Sequence, residues 1–325
     1  MRPTFSIIFL TTLIGAGQGL FLALYSGQLY SAFRVLPEQD SLHFYALGSL
    51  LVLVLLMAGL ASSFFHLGRP ERAWRTASQW RTSWMSREVI VLPGFLGAVA
   101  VWGLIHYIGW NPVLLTFRDT FEVDLSLVTG AVATVLCFAL FLCTGMIYAC
   151  IRMLQEWATP LTVINYTLFG GASGFMLATG FAAWQDSSQT GFFGGWAIIL
   201  TALALITRAA SLVRNARIKP KSTMQTAIGI RHTGIEQKAQ GAMGGSFNTH
   251  EYFHGASKRK YKNVKWAFLI LVFPIPLLLV LAGMATNLPG LYIAAFLVQY
   301  IGLIMERWFF FAQANHPQNL YYQTV

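Results

Sequence analysis

Apolar residues fill the chain in long unbroken runs, and polar residues gather in the gaps between them. A helix needs about 20 predominantly apolar residues to cross the hydrocarbon core of a bilayer. Eight stretches qualify, roughly from Ser6 to Phe33, Leu42 to Phe65, Arg87 to Trp110, Asp124 to Ile151, Leu161 to Trp184, Phe192 to Val213, Val264 to Met284 and Leu291 to Ala312. The pattern predicts an all-α integral membrane protein with eight transmembrane helices in a single domain over residues 1–325. Trp110, Trp184 and Trp266 fall near predicted span ends, where amphipathic rings favour the headgroup layer. Pro274 and Pro276 predict a kink in the seventh helix. The first run is too long for a cleavable signal, and no small-residue cleavage site follows it promptly. A twin-arginine export pattern is absent too.

The gaps differ in charge. Of 22 Lys and Arg residues, only Arg34 and Arg118 lie in the first, third, fifth or seventh loop. The rest lie at the N-terminus, in the second, fourth and sixth loops, or near helix ends on that same side. Positive charge is retained on the cytoplasmic side, so both termini are expected in the cytoplasm. Loop two, His66 to Ser86, is short and rich in Arg and Trp. Loop six, about residues 215–263, is the long one, and loops of that length are usually functional or disordered. Its interleaved Phe247, Tyr252 and Phe253 favour a surface on which a cytoplasmic partner docks. The opposite side is expected to carry short connections only.

Composition agrees: 56% of the residues are hydrophobic, 10% are charged and the mean hydropathy is +0.57. The net charge of +10 sits in loops that set topology, which argues against nucleic acid as a partner. Cys137, Cys143 and Cys150 share one apolar run without CxxC spacing or a neighbouring histidine. They read as packed thiols rather than ligands of zinc or of an iron–sulfur cluster.

Chemistry concentrates at the edges of loop two. His66 ends the second span and Glu88 opens the third, so a short loop brings both to one edge of the bilayer. Ionisable groups inside a span are expensive, and a histidine with a carboxylate beside a lipid-accessible pocket can exchange protons with a quinone headgroup. The plainer alternative is positive-inside anchoring, with Glu88 paired to Arg87 or Arg69. Glu306 and Arg307 near the end of the eighth span form an internal ion pair or line the same pocket. His43 and His106 fall at similar depths near the opposite side and would suit a b-type haem, although solvated or hydrogen-bonded histidines fit them better. Gly15-Ala-Gly-Gln-Gly19 superficially resembles a nucleotide loop, but it lies within an apolar span and predicts close helix packing.

His66-Leu-Gly-Arg-Pro70 followed by Ser83-Trp-Met-Ser-Arg-Glu88 resembles the hallmark loop of the dimethyl sulfoxide reductase membrane-anchor family. Gln225-Thr-Ala-Ile-Gly-Ile-Arg-His232, Met243-Gly-Gly-Ser-Phe-Asn-Thr-His-Glu-Tyr-Phe-His254, Glu306-Arg-Trp-Phe-Phe-Phe-Ala312 and His316-Pro-Gln-Asn-Leu-Tyr-Tyr322 resemble the branch found with cytoplasmic sulfite dehydrogenases. The resemblance spans essentially the whole chain. It implies a three-subunit complex in the bacterial cytoplasmic membrane: a catalytic subunit with a molybdenum bis-pterin cofactor, a ferredoxin-like subunit that bears iron–sulfur clusters, and an eight-helix anchor that typically lacks haem. It also implies a quinone, ubiquinone or menaquinone, at a site associated with His66 and Glu88. Arg69 and Arg87 would tune that site, and Trp84 would wall it or anchor it at the interface. Loop six would hold the iron–sulfur subunit through Arg231, His232, Phe247, Asn248, His250, Tyr252, Phe253 and His254. A reductase anchor fed by quinol would use the same residues, because an anchor meets only the quinone and the cluster. A secondary transporter fits poorly, since no internal repeat is evident and polar residues gather at one face.

Overall fold

Caps and breaks in the sequence set where each span ends. The computed structural model describes residues 5–65, 67–117, 121–219, 223–235 and 257–314, and among them eight helices are long and apolar enough to cross a membrane. Helix α1 covers Phe5–Ala32. A single π-turn, Ser41–Ala46, leads into α2, Leu47–Phe64, and starts where the Asp40 side chain accepts a hydrogen bond from the His43 N–H. After a 3-10 stretch, Pro70–Gln79, the Ser83 side chain caps α3, Trp84–Ile108. Asp124 caps α4, Leu125–Ala149, and Thr159 caps α5, Pro160–Trp184, with proline in its first turn. Helix α6 runs over Thr190–Ala216, and the short α7, Met224–Ile228, is held by a reciprocal cap between Thr223 and Thr226.

The seventh span is two helices in line, α8 (Lys258–Val272) and α9 (Pro274–Thr286). The break falls at Phe273, because Pro274 lacks the N–H that would continue the ladder and its ring clashes with the preceding turn. Helix α8 also begins before the apolar run, since the lysine-rich segment after Ser257 is itself helical and Ser257 caps it. Helix α10, Pro289–Ala312, completes the set.

The side opposite the basic loops carries more than plain connections. Strands β1 (Val113–Phe117) and β2 (Phe121–Asp124) form an antiparallel hairpin, with Thr116 opposite Glu122. Phe121 stacks on Phe33 at 4.6 Å between centroids, tying the hairpin to the end of α1.

Helices α1 and α5 form the interior, and each is 67% buried over its most apolar window. They cross at glycines. A Cβ on Gly174 would fall on the backbone of Gly19 and Leu20, and one on Gly19 would meet the Gly170 carbonyl. Small residues at one-turn spacing allow this approach, so Gly15 and Gly19 act in packing, as their spacing suggests. Midway along the bundle, Phe21 meets Phe95 and Trp102 edge-on at 5.5 and 5.6 Å, and all three are fully buried.

At the basic end, the fourth loop is fastened down. Trp157 donates from Nε1 to the Phe310 carbonyl at 2.9 Å, and Arg214 donates to the Gln155 carbonyl at 3.0 Å. Tyr148, Trp157, Tyr166, Phe310 and Phe311 close around this contact as an aromatic cluster.

Candidate functional site

Near the basic end, α1, α3, α4, α5 and α10 enclose a small cavity of about 20 Å3. Glu88, one turn into α3, faces Thr144 on α4, whose hydroxyl donates to Glu88 Oε1 at 2.5 Å. Gln18 of α1 contributes to the wall and is fixed by an Nε2 hydrogen bond to the Cys137 carbonyl at 2.9 Å. From the far wall come Tyr166 and Ser173 of α5 and Arg307 of α10. The crossing of α1 on α5 supplies Gly15 and Gly170 to the same lining, so glycine packing sets how close Gln18 and Ser173 approach.

Behind Arg307 lies a buried ionic cluster. Glu306 receives Arg208 from α6 at 2.8 Å on one oxygen and Arg307 at 3.2 Å on the other. Arg208 and Glu306 are 2% and 1% exposed, so neither charge is screened by solvent. The Arg307 guanidinium lies 3.7 Å from the centroid of the Tyr166 ring, and Phe268 and Phe309 flank Arg208. A second, smaller cavity of about 10 Å3, lined by Glu306, Asn215 and Gln313, shares Tyr166 and Arg307 with the first. Glu306 and Arg307 thus form an ion pair, and Arg307 also lines the first cavity.

The other expected site residues are arranged differently. Arg87 turns away from Glu88, donating to the Trp80 carbonyl at 2.9 Å and the Arg81 carbonyl at 2.8 Å while stacking on Trp84 at 4.2 Å. It clasps loop two and leaves Glu88 to Thr144. Arg69 is exposed ahead of the 3-10 stretch and lines neither cavity. His66 lies outside the described residues, as do Phe247, Asn248, His250, Tyr252, Phe253 and His254. Arg231 and His232 are exposed and lie outside any regular element, and His232 Nδ1 accepts the Gly234 N–H at 2.9 Å.

The opposite face holds a much larger polar vestibule, about 310 Å3, lined by Gln28, Tyr45, His106, Glu38, Glu122 and Asp124 among others. His106 is buried, hydrogen-bonded through Nδ1 to the Ser41 hydroxyl at 2.7 Å, and packed by Tyr45 and Trp102 at 4.9 and 4.8 Å. His43 is exposed, pairs with Asp40 at 2.9 Å and does not line the vestibule. His106 thus faces the vestibule beside Ser41, and His43 faces the surface beside Asp40. Among the described residues no three His, Cys, Asp or Glu side chains form a metal-ligating group.

Sequence reasoning missed Thr144, Tyr166 and Arg208. A signal existed for Arg208: it lies eight residues inside the end of α6, too deep for a charge that merely marks topology.

An eight-helix bundle with one basic face and a carboxylate-bearing cavity beneath it describes a membrane anchor. The chain matches the family described as DMSO reductase anchor subunit (DmsC) over residues 1–313 and belongs to that family. It is also 56% identical over 325 residues to the sulfite dehydrogenase C subunit of Allochromatium vinosum, with the whole of both chains covered. The chain is therefore a multi-pass membrane anchor of a redox enzyme complex.

Proposed function

We propose that this chain is the quinone-binding anchor of a three-subunit sulfite:quinone oxidoreductase in the bacterial cytoplasmic membrane. The observation that carries the reading is the full-length identity to a sulfite dehydrogenase subunit. The Glu88 cavity beneath the basic face supports it. By the positive-inside rule that face is cytoplasmic, and so are both termini. A ferredoxin-like iron–sulfur subunit and a molybdenum bis-pterin catalytic subunit dock there, against loop two and the loop of residues 215–263. Sulfite and water give sulfate, two protons and two electrons at the catalytic subunit, and those electrons leave through the clusters.

A quinone, ubiquinone or menaquinone, takes up two electrons and two protons when bound. The donors around the cavity fit such a headgroup. Glu88 can hold a proton, Thr144 orients its carboxyl, and Tyr166 and Arg307 offer hydrogen bonds from the far wall. About 20 Å3 is room for one water. A ring therefore enters only as the apolar lining, Leu10, Phe141 and Leu303, moves aside. The family pattern implies that His66, which follows the second span in sequence, serves the same headgroup. Arg87 and Trp84 serve the loop above, where Arg87 clasps the Trp80 and Arg81 carbonyls and stacks on Trp84.

The test is sulfite-dependent reduction of a water-soluble ubiquinone analogue by the complex that co-purifies with tagged chain, beside dimethyl sulfoxide-dependent quinol oxidation. Sulfite activity is expected, and His66→Ala and Glu88→Gln should each remove it from an assembled complex. Activity with dimethyl sulfoxide alone would reverse the electron path and discard the sulfite reading.

A further inference from the structure

The start of the seventh span carries a charge pattern that topology alone does not require. Lys258, Arg259, Lys260, Lys262 and Lys265 fall close together, and the sequence holds no Asp or Glu from there to Met305. The helix therefore gives these bases no carboxylate one turn away. Two faces of α8 differ sharply. One packs on the bundle: Phe268 and Val272 are buried, Tyr261 stacks on Phe309 at 4.7 Å between centroids, and Val264 lies against the same cluster. On the other, Arg259, Lys262, Trp266 and Ile270 succeed one another at one-turn spacing, and all four are exposed. Ile270 lies within the apolar span, where an exposed side chain faces acyl chains. The same stripe runs up through Trp266, a residue that favours the boundary of hydrocarbon and headgroups, to the two cations. Lys262 stands about 6 Å and Arg259 about 10 Å beyond Trp266 along the axis. The polar layer of each leaflet is about 5 to 7 Å thick, so Lys262 lies within it and Arg259 reaches back into it.

We infer that Arg259 and Lys262 hold the phosphate of an anionic phospholipid, whose acyl chains lie along Trp266 and Ile270. The occupant is a lipid and not an acidic protein surface, because the cations stand in line with the residues that meet acyl chains, on the face turned away from the bundle. Lys265 adds to the local field from the edge of the stripe, with its Nζ 6.0 Å from the centroid of the Trp266 ring. A basic cluster directly above a span attracts anionic headgroups at about fivefold in affinity per cation near the surface. The inference stands apart from the quinone reading, since it uses neither cavity.

The test reads lipid composition at the stripe itself. The purified complex, with Ile270→Cys in a Cys150→Ser background, is labelled with bimane. It is reconstituted at low salt in vesicles of phosphatidylcholine and phosphatidylglycerol in equal parts, with the chains of one lipid or the other brominated to quench the dye. Both leaflets then have the same composition, so orientation does not matter. A second probe at Leu104→Cys, exposed on the far half of α3, serves as the reference. Quenching at Ile270 should report phosphatidylglycerol over phosphatidylcholine by about fivefold or more relative to the reference. Arg259→Gln with Lys262→Gln should remove most of that excess. No excess in the wild-type stripe, or an excess that survives the double change, would overturn the site. The second result would be sharpest if the double variant also shed its co-purifying subunits, because the cations would then belong to a protein partner. Should the double variant fail to assemble, salt decides on the wild-type stripe: an excess that falls steeply at high ionic strength supports the site, and one that does not overturns it.

Discussion

Arg208 on α6 and Glu306 on α10 meet at 2.8 Å inside the membrane span, each almost fully shielded from solvent. Together with Arg307 they join two helices that are far apart in sequence, which Gln299 also ties by donating to the Thr201 hydroxyl at 3.2 Å. Breaking a buried pair by removing one partner leaves the other charged and unmatched, at about 3 to 5 kcal/mol. Arg208→Leu should therefore sharply reduce the yield of monodisperse protein on size-exclusion chromatography and lower its Tm. A variant with wild-type yield and Tm would show that the pair carries little of the stability.

The α1–α5 crossing makes a steric prediction. Gly174→Leu adds side-chain atoms where the backbone of Gly19 and Leu20 already lies, and neither helix can yield locally. Failure to accumulate in the membrane is expected, while Gly97→Leu, at a position with open space around its Cα, should accumulate normally. Equal expression of the two variants would contradict the close crossing.

Thr144 gives a graded test of the Glu88 cavity. Thr144→Val keeps the shape and removes the hydroxyl that donates to Glu88. Losing one hydrogen bond to a charged or protonatable partner costs about 1.5 to 3 kcal/mol. On the proposed quinone reading, quinone reduction should fall by roughly one order of magnitude and not vanish, whereas Glu88→Gln would remove the proposed proton carrier altogether. If Thr144→Val were the more damaging of the two, Glu88 would not be the proton carrier.

Topology can be read by labelling. Ser188, in the exposed connection between α5 and α6, and Ser78, in the exposed 3-10 stretch, lie at opposite ends of the bundle. In a Cys150→Ser background, which removes the exposed native thiol, a membrane-impermeant maleimide should label Ser188→Cys in intact spheroplasts. Ser78→Cys should label only after lysis. The reverse pattern would invert the protein in the membrane and place its partners outside the cell.

Asp40 sets a pH dependence at the start of the second span. Its carboxyl accepts the His43 N–H and lies against the His43 ring, and this holds it below the usual aspartate range. A depressed carboxylate stabilises the fold above its unfolded value and loses that contribution as pH falls through the folded value. The cap is therefore complete at neutral pH and is lost only in acid, below the ordinary aspartate range. Hydrogen exchange at residues 41–44 should quicken there, and Asp40→Asn, which still caps, should flatten the response. Exchange that quickens equally in the Asn variant would assign the effect elsewhere.

The spans were legible because apolar length alone decides them, and Pro274 marked the break that the structure places at Phe273. Boundaries were less so. The helix at Lys258 begins among lysines, which a search for apolar runs passes over although lysine is a good helix former. The hairpin at Val113–Phe117 and Phe121–Asp124 was read as plain loop, although its β-branched and aromatic residues are those that strands favour. Glu88 was found because a carboxylate at the head of a span is conspicuous. Its partner was not, because Thr144 sits in a featureless apolar run and depends on the contact of α3 with α4. Arg208 was counted among topology markers, and only the fold reveals that Glu306 is its destination.

The vestibule on the far face bears on how voltage acts on this protein. It reaches Gln28, and the Glu88 cavity reaches Gln18, ten positions earlier on the same helix. Ten residues of α-helix rise about 15 Å, half the thickness of the hydrocarbon core. Between them lie the fully buried rings of Phe21, Phe95 and Trp102. A water-filled vestibule would carry the potential of its own side inward, so the membrane voltage would fall mainly across that aromatic layer. The field there would then be about twice what an unbroken bilayer of full thickness would experience.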